Sequence, residues 1–229
     1  MKRSLINAAI GDAIRLLDEY RFHLPPFAYW TPADWRAKGQ ATAQLTKRKL
    51  GWDVTEFGSD CFDAIGLTLF TLRNGSFEDL ALGAGMLYAE KVLISKVGQV
   101  TPMHFHWSKT EDIINRGGGR LAIKLYNATD SDALGTDDVT FLSDGVEHTL
   151  PAGSILRLDP GASITLPPRL YHSFWAEERT VFAGEVSTVN DDDLDNRFLE
   201  AIERFPSIEE DELAKYRLVS DDEDLVPSV

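Results

Sequence analysis

A chain of 229 residues, 43% hydrophobic and 26% charged, has the composition of a globular domain with a substantial core. Its net charge of −14 argues against nucleic acid or an anionic membrane as partner, because both require basic patches. No apolar run approaches the roughly 20 residues of a membrane span. Cys61 is the only cysteine, which excludes an internal disulfide and fits a reducing cytoplasm. As a nucleophile Cys61 is poorly placed, since the DCFDAIG context offers no nearby base.

In chain order, Ser4 is positioned to cap an amphipathic helix to about Tyr20, with Leu5, Ala9, Ala13, Leu16 and Leu17 near one face. Pro25 and Pro26 end it, and His23 before them reads as structural. Thr31, Pro32 and Asp34 start a second helix running to about Lys38. From Gly51 the pattern becomes strand-like. Strands are expected over 66–73, ended by the turn signal Asn74-Gly75, and over 86–97. They continue over 112–116, 120–127, 139–142, 146–150, 154–158, 163–166, 170–176 and 180–189, with glycine, proline and aspartate between them. His148 falls in the Asp144-Gly145 hairpin and reads as a surface residue. After Val189, Asp191–Asp193 are placed to cap a helix carrying Leu194, Phe198, Leu199 and Ile202 toward the barrel, with Pro206 ending it. The expected organisation is a helical extension over 1–50, an all-β sandwich or barrel over 51–190, and a C-terminal helix with an acidic tail over 191–229, all in one compact domain.

The stretch 98–118, GQVTPMHFHWSKTEDIINRGG, carries the chemistry. On a strand, His104 and His106 point to the same side, and a turn through Trp107–Thr110 returns Glu111 to the same point. Two imidazoles and a carboxylate around one centre suit a divalent transition metal with open coordination positions.

The spacing Gly98, His104, His106, Glu111, Gly118 resembles the first motif of the cupin superfamily, and Gly161, Pro167, Leu170-Tyr171-His172 its second. The resemblance implies an all-β fold, a double-stranded β-barrel (jelly roll), here with N- and C-terminal helices packed on it. It also implies a His3Glu metal site of His104, His106, Glu111 and His172. Arg169 stands where the second motif usually has glycine, and Ala176 where it usually has asparagine; neither position is a ligand.

A resemblance over nearly the whole chain is carried by HLPPFAYW, TPADW, LGWDVTEFG, GLTLFTLRNG, YAEK, VTPMHFHW, EDIINRGGG, LPPRLYHSFWAE and GEVSTVNDDDLDN. These segments are similar to the D-lyxose isomerase family of cupins. That implies a manganese-dependent aldose–ketose isomerase acting on D-lyxose and D-xylulose, with D-mannose and D-fructose as slower substrates, working as a homodimer. The donor set itself also suits Fe²⁺, Co²⁺, Ni²⁺ or Zn²⁺.

Isomerisation needs a group that shuttles a proton. Lys109 lies two residues before Glu111 and faces inward with it if the strand begins early enough. Lys91 shares parity with Leu93 and Ser95 and is expected to bind sugar. A lysine beside a dication in an apolar barrel is expected to have its charged form disfavoured, making it a base or a donor. Glu185 is either inward and functional or outward and solvated, and the resemblance favours the first. Asp193 and Asp195 are candidates for distal hydroxyls, with helix capping the competing reading. Trp107, Phe174 and Trp175 pack either on the sugar or in the core. The same four ligands also serve cupin dioxygenases using Fe²⁺ or Cu²⁺, or a non-catalytic sugar-binding cupin.

Overall fold

A computed structural model describes residues 1–221; the acidic tail beyond lies outside the described residues. Two antiparallel sheets face each other. The first has eight strands in the order β1 (Gly51–Thr55), β2 (Leu67–Asn74), β3 (Tyr88–Ser95), β12 (Val181–Thr188), β5 (Glu111–Gly117), β10 (Ser163–Leu166), β7 (Val139–Ser143), β8 (Val146–Leu150). The second has five, β13 (Asn196–Phe198), β4 (Thr101–His106), β11 (Leu170–Glu177), β6 (Arg120–Asn127), β9 (Ile155–Leu158). This is the expected all-β jelly roll, with the expected strands recovered to within a few residues.

Period-2 alternation decides what fills the space between the sheets. In β5, Glu111, Ile113, Asn115 and Gly117 are buried while Asp112, Ile114 and Arg116 are not. One apolar cluster occupies the barrel interior, including Leu69, Leu93, Ile113, Ile123, Ile164, Phe174 and Ala183. A second lies outside the large sheet, beneath helix α1 (Arg3–Glu19). There Ile6, Ala9, Ile10, Ala13 and Leu17, spaced for one helical face, meet Trp52, Phe70, Val92 and Phe182. Trp52 Nε1 donates to Ala28 O at 2.8 Å, fixing the proline-led turn over the same layer.

Helix α2 (Pro32–Lys38) begins as expected: Thr31 and Asp34 form a reciprocal capping box. Ser4 does not cap α1. The helix starts one residue before it, and Ser4 Oγ donates instead to Asp211 at 2.6 Å. Helix α3 (Ala43–Lys47) and helix α4 (Phe77–Leu82) are short, and α4 fills the connection after Asn74-Gly75, where only a turn was expected. Asp144 and Gly145 both take positive φ, as the tight 139–150 hairpin requires.

The expected C-terminal helix is not formed. Asp191 Oδ1 does accept from the amides of Asp193 and Leu194, but only as a turn. Asn196–Phe198 then pairs with the edge of β4, Asn196 opposite His106 and Phe198 opposite His104. The unpaired edge of β4 offers a row of backbone donors and acceptors, and satisfying it outweighs local helix preference. Phe198 and Ile202 still pack on the barrel core, whereas Leu194 is 78% exposed.

Arg169 has φ 66°, in the left-handed region that its cupin-like position normally gives to glycine. Its guanidinium compensates, donating to Thr129 O at 2.7 Å and Asp132 at 2.9 Å while lying over the Phe105 and Trp107 rings. In the turn between β5 and β6, a side chain on Gly119 would strike Glu177 O, so the glycine run there is required.

No helix among the described residues is long and apolar enough to cross a membrane. Phe70 is fully buried where α1 meets the large sheet. Phe70→Ala should therefore destabilise the protein by about 3–5 kcal/mol in equilibrium urea unfolding, with the barrel site as a local reporter of how far the loss spreads.

Candidate metal and active site

Strand pairing brings the three motif histidines together. His172 on β11 lies opposite His104 on β4, and His106 follows two residues later on the same face. All three are buried, and their ligand nitrogens lie within 4.8 Å of one another. His104 Nδ1 is 2.7 Å from Pro102 O and His172 Nδ1 is 3.0 Å from Leu170 O. A carbonyl only accepts, so each Nδ1 carries a proton, which leaves the inward Nε2 as the nitrogen available to a metal. Phe198 stacks on His104 with ring centroids 5.2 Å apart and closes that side.

Glu111 comes from the opposite sheet. Its Oε1 is 3.2 Å from both His106 Nε2 and His172 Nε2. Two imidazole nitrogens and a carboxylate oxygen thus converge on one point. Atoms bound about 2.1 Å from one ion sit roughly 3 Å apart in adjacent octahedral positions, so the spacing fits a transition metal. His104, His106, His172 and Glu111 are the residues that would hold it. Burial, with the neighbouring His172 and His106, holds the His104 imidazole well below its ordinary range; burial, then Lys109, lowers that of His106. Both effects favour the neutral, ligating form. Burial opposes ionisation of Glu111, but Lys109 and His106 outweigh it and hold the carboxyl well below the usual range.

Beside this cluster lies a mixed ionic group. Lys109 Nζ is 2.7 Å from Glu111 Oε2, 2.9 Å from Glu185 Oε1 and 3.2 Å from Asn190 Oδ1. Lys91 Nζ is 2.8 Å from Asn190 Oδ1, 3.3 Å from Asp192 Oδ1 and 3.6 Å from Glu185 Oε1. Glu185 therefore points inward, on the face shared with Ala183 and Ser187. The expected loss of charge concerns a lysine beside a bound dication; among the protein's own groups the balance at Lys109 runs the other way. Burial does disfavour the ammonium, but Glu111, Glu185 and Asp192 outweigh it, and the group is held more firmly protonated than usual. Its surroundings are carboxylates, not the apolar wall that periodicity suggested.

The aspartates after β12 divide differently from expectation. Asp193 turns away from the cavity and pairs with Lys49 on the surface. Asp195 is buried, yet it does not reach the cavity. Its Oδ1 accepts from the amide and hydroxyl of Ser108, both at 2.8 Å, and its Oδ2 from the amide of Lys109 at 3.0 Å. Asp195 thus shapes the turn that delivers Lys109 and Glu111. The aspartate that faces the cavity is Asp192, a residue sequence reasoning missed because three consecutive aspartates give no sign of which turns inward. Burial opposes its ionisation, but Lys91, Arg204 and Lys109 prevail and lower its carboxyl far below the ordinary value.

Arg204 was also missed, being hidden in the expected C-terminal helix. Its Nη2 lies 2.6 Å from Asp53 and 3.6 Å from Asp192, while its Nη1 is buried without a hydrogen-bond partner. Asp192, Arg204, Phe57 and Phe198 line the cavity together with the histidines, Lys91, Lys109 and Glu185. Of the candidate aromatics, Phe174 lines this cavity, whereas Trp107 and Trp175 do not. His148 is exposed and stacks on Phe141, and His23 is exposed.

Asp195→Ala would leave the amides of Ser108 and Lys109 unpaired, and should cost about 2–3 kcal/mol in urea unfolding while lowering activity through a displaced Lys109. For Asp192, whose folded pKa is depressed, the stabilisation is present above the unfolded carboxylate value of 3.8 and is lost as pH falls below it. Asp192→Asn should thus lower stability at pH 7 by about 3 kcal/mol, and the gap to wild type should narrow in unfolding titrations run toward pH 3.

The D-lyxose isomerase family model matches residues 1–222. The chain is 50% identical over 224 residues to a D-lyxose/D-mannose isomerase of Escherichia coli O157:H7, covering 96% of this chain and 98% of that one. It is 51% identical over 221 residues to a D-lyxose/D-mannose isomerase of Serratia proteamaculans, covering 95% and 96%. Among solved structures, the L-ribose isomerase of Geodermatophilus obscurus has the same fold, with a TM-score of 0.60 at 16% identity over 91% of this chain and 98% of that one. With a matched model across nearly its whole length and relatives at half identity, the chain belongs to the D-lyxose isomerase family.

Proposed function

We propose that the protein interconverts D-lyxose and D-xylulose through a cis-enediol, with D-mannose and D-fructose as slower substrates. The observation that carries this reading is the placement of Glu185 and Lys109 in one cavity with the three imidazoles and Glu111. The names of the relatives from Escherichia coli O157:H7 and Serratia proteamaculans support the choice of sugar. The metal is Mn²⁺ in this reading, by family resemblance, with Co²⁺ an effective substitute. A bound ion there supplies a Lewis acid that polarises the sugar carbonyl and offsets enediolate charge.

The chain's own residues then divide the work. Glu185 takes the proton from C2 of the open-chain aldose and returns it to C1. Lys109, held protonated by its carboxylate neighbours, gives a proton to O1 as negative charge develops there and recovers the proton of the O2 hydroxyl, so that it ends the cycle as it began. Lys91 and Asp192 orient hydroxyls, and the unpartnered Nη1 of Arg204 is a free donor for a distal one. The apolar walls of Phe57, Phe174 and Phe198 exclude water from the reacting carbons. This assigns no role in sugar contact to Asp193 or Asp195.

The working state we propose is a cytoplasmic homodimer. A lone, exposed Cys61 suits a reducing compartment, and Tyr88 and Val186 present exposed apolar surface on the outside of the large sheet. Sedimentation should then give twice the chain mass of 25.5 kDa.

The decisive assay strips the metal with chelator, restores Mn²⁺, and screens aldopentoses and aldohexoses for ketose. Activity should vanish and return, with D-lyxose the best substrate; oxygen consumption in place of ketose formation would establish a dioxygenase instead. Glu185→Gln and Lys109→Ala should each lose at least about 100-fold in kcat while Mn²⁺ content by metal analysis is retained. His172→Ala should lose the metal itself. In D₂O, deuterium should enter C2 of the aldose during turnover; full retention of substrate hydrogen would sink Glu185 as a base and indicate hydride transfer.

A further inference from the structure

Asn190 lies just past the end of β12, and its Oδ1 accepts from both Lys91 Nζ at 2.8 Å and Lys109 Nζ at 3.2 Å. It is the one oxygen among the described residues shared by both lysines besides Glu185 Oε1. Where Asn190 sits therefore decides how the two ammonium groups are presented to Glu185.

The backbone at Asn190 has no ladder partner, because β12–β3 pairing ends at Thr188 opposite Tyr88. Asn74, the last residue of β2, supplies the missing pair with its side chain. The amide of Asn190 donates to Asn74 Oδ1 at 3.0 Å, and Asn74 Nδ2 donates to Asn190 O at 2.8 Å. One carboxamide thereby reproduces the two-bond exchange of an antiparallel pair. Asn74 is buried and is itself anchored, donating to Arg48 O at 3.3 Å and accepting at its carbonyl from Arg48 Nη1 at 3.0 Å. Asn74 does not line the site cavity, so it acts on the chemistry without touching substrate.

We propose that Asn74 is a positioning residue for the isomerisation: its carboxamide clamps the backbone of Asn190, and through Asn190 Oδ1 sets Lys91 and Lys109 against Glu185. The role rests on the reading of Glu185 and Lys109 as the proton-transfer pair. It requires asparagine specifically. Aspartate has the same shape and accepts from the Asn190 amide, but it has no donor for Asn190 O and places a carboxylate against that carbonyl. A misplacement of about 1 Å is enough to slow a proton transfer whose partners are otherwise intact.

The test compares wild type with Asn74→Asp, Asn74→Ala, Asn190→Ala and the Asn74→Ala/Asn190→Ala double variant, each loaded with Mn²⁺. The expected result is a fall in kcat for D-lyxose of roughly 10–100-fold in each single variant, KM within about twofold, and unchanged metal content. The double variant should be no slower than Asn190→Ala alone, since Asn74 acts only through Asn190. The near-isosteric Asn74→Asp keeps the comparison open if Asn74→Ala does not fold. Folded Asn74→Asp with wild-type kcat, or losses in the double variant that multiply, would overturn the positioning role. Absence of D-lyxose turnover in wild type, or full activity in Glu185→Gln, would instead overturn the functional reading on which it rests.

Discussion

Lys109 is wedged between Glu111 and Glu185 in the barrel interior, 2.7 and 2.9 Å from their oxygens and 2% exposed. Burying such a group costs several kcal/mol per ion, and hydrophobic replacements of similar volume are commonly as stable or more so. The surrounding construction is best understood as the means of holding this cluster. Lys91, Lys109 and Arg204 face Glu111, Glu185, Asp192 and Asp53, leaving the carboxylates in excess beside three imidazoles. A divalent cation complements both the charge and the converging donor atoms of that arrangement.

The jelly roll contributes by placing different chemistry on its two sheets. The five-stranded sheet carries the imidazoles on β4 and β11, while the eight-stranded sheet carries Lys91, Glu111 and Glu185 on the neighbouring strands β3, β5 and β12. Because successive residues of a strand face opposite ways, each of these side chains sits inward with apolar neighbours at its flanks. The connections then refine the geometry. Asp195 holds the β4–β5 turn by its amides, Arg169 holds a left-handed turn ahead of His172, and β13 covers the edge beside His104 and His106. None of these three devices lies on the residues that would do the chemistry. Each decides whether those residues meet.

The likeness to an L-ribose isomerase at 16% identity shows a shared fold, and part of the cavity lining here comes from outside the barrel strands. In this protein that part is Asp192 and Arg204, contributed by the segment after β12. Arg204 lies over the Phe57 ring and pairs with Asp53 from β1, so the C-terminal segment is tied to the first strand of the sheet.

The amino-acid sequence by itself determined the all-β class, most strand positions, the Thr31 cap and the convergence of His104, His106, Glu111 and His172. These are legible because period-2 burial, turn residues and motif spacing are local properties of the chain. The inward direction of Glu185 and Lys109 was constrained by parity but settled only by the barrel. Tertiary structure alone decided the segment after Val189. Its aspartates suit a helix cap, and nothing local reveals that an unpaired β4 edge waits to receive Asn196–Phe198. With that non-local pairing goes the placement of Asp192, Asp195 and Arg204, while the charge on Lys109 comes chiefly from Glu111 and Glu185 on two other strands, because electrostatics depend on which groups meet in space and not on which are neighbours in the chain.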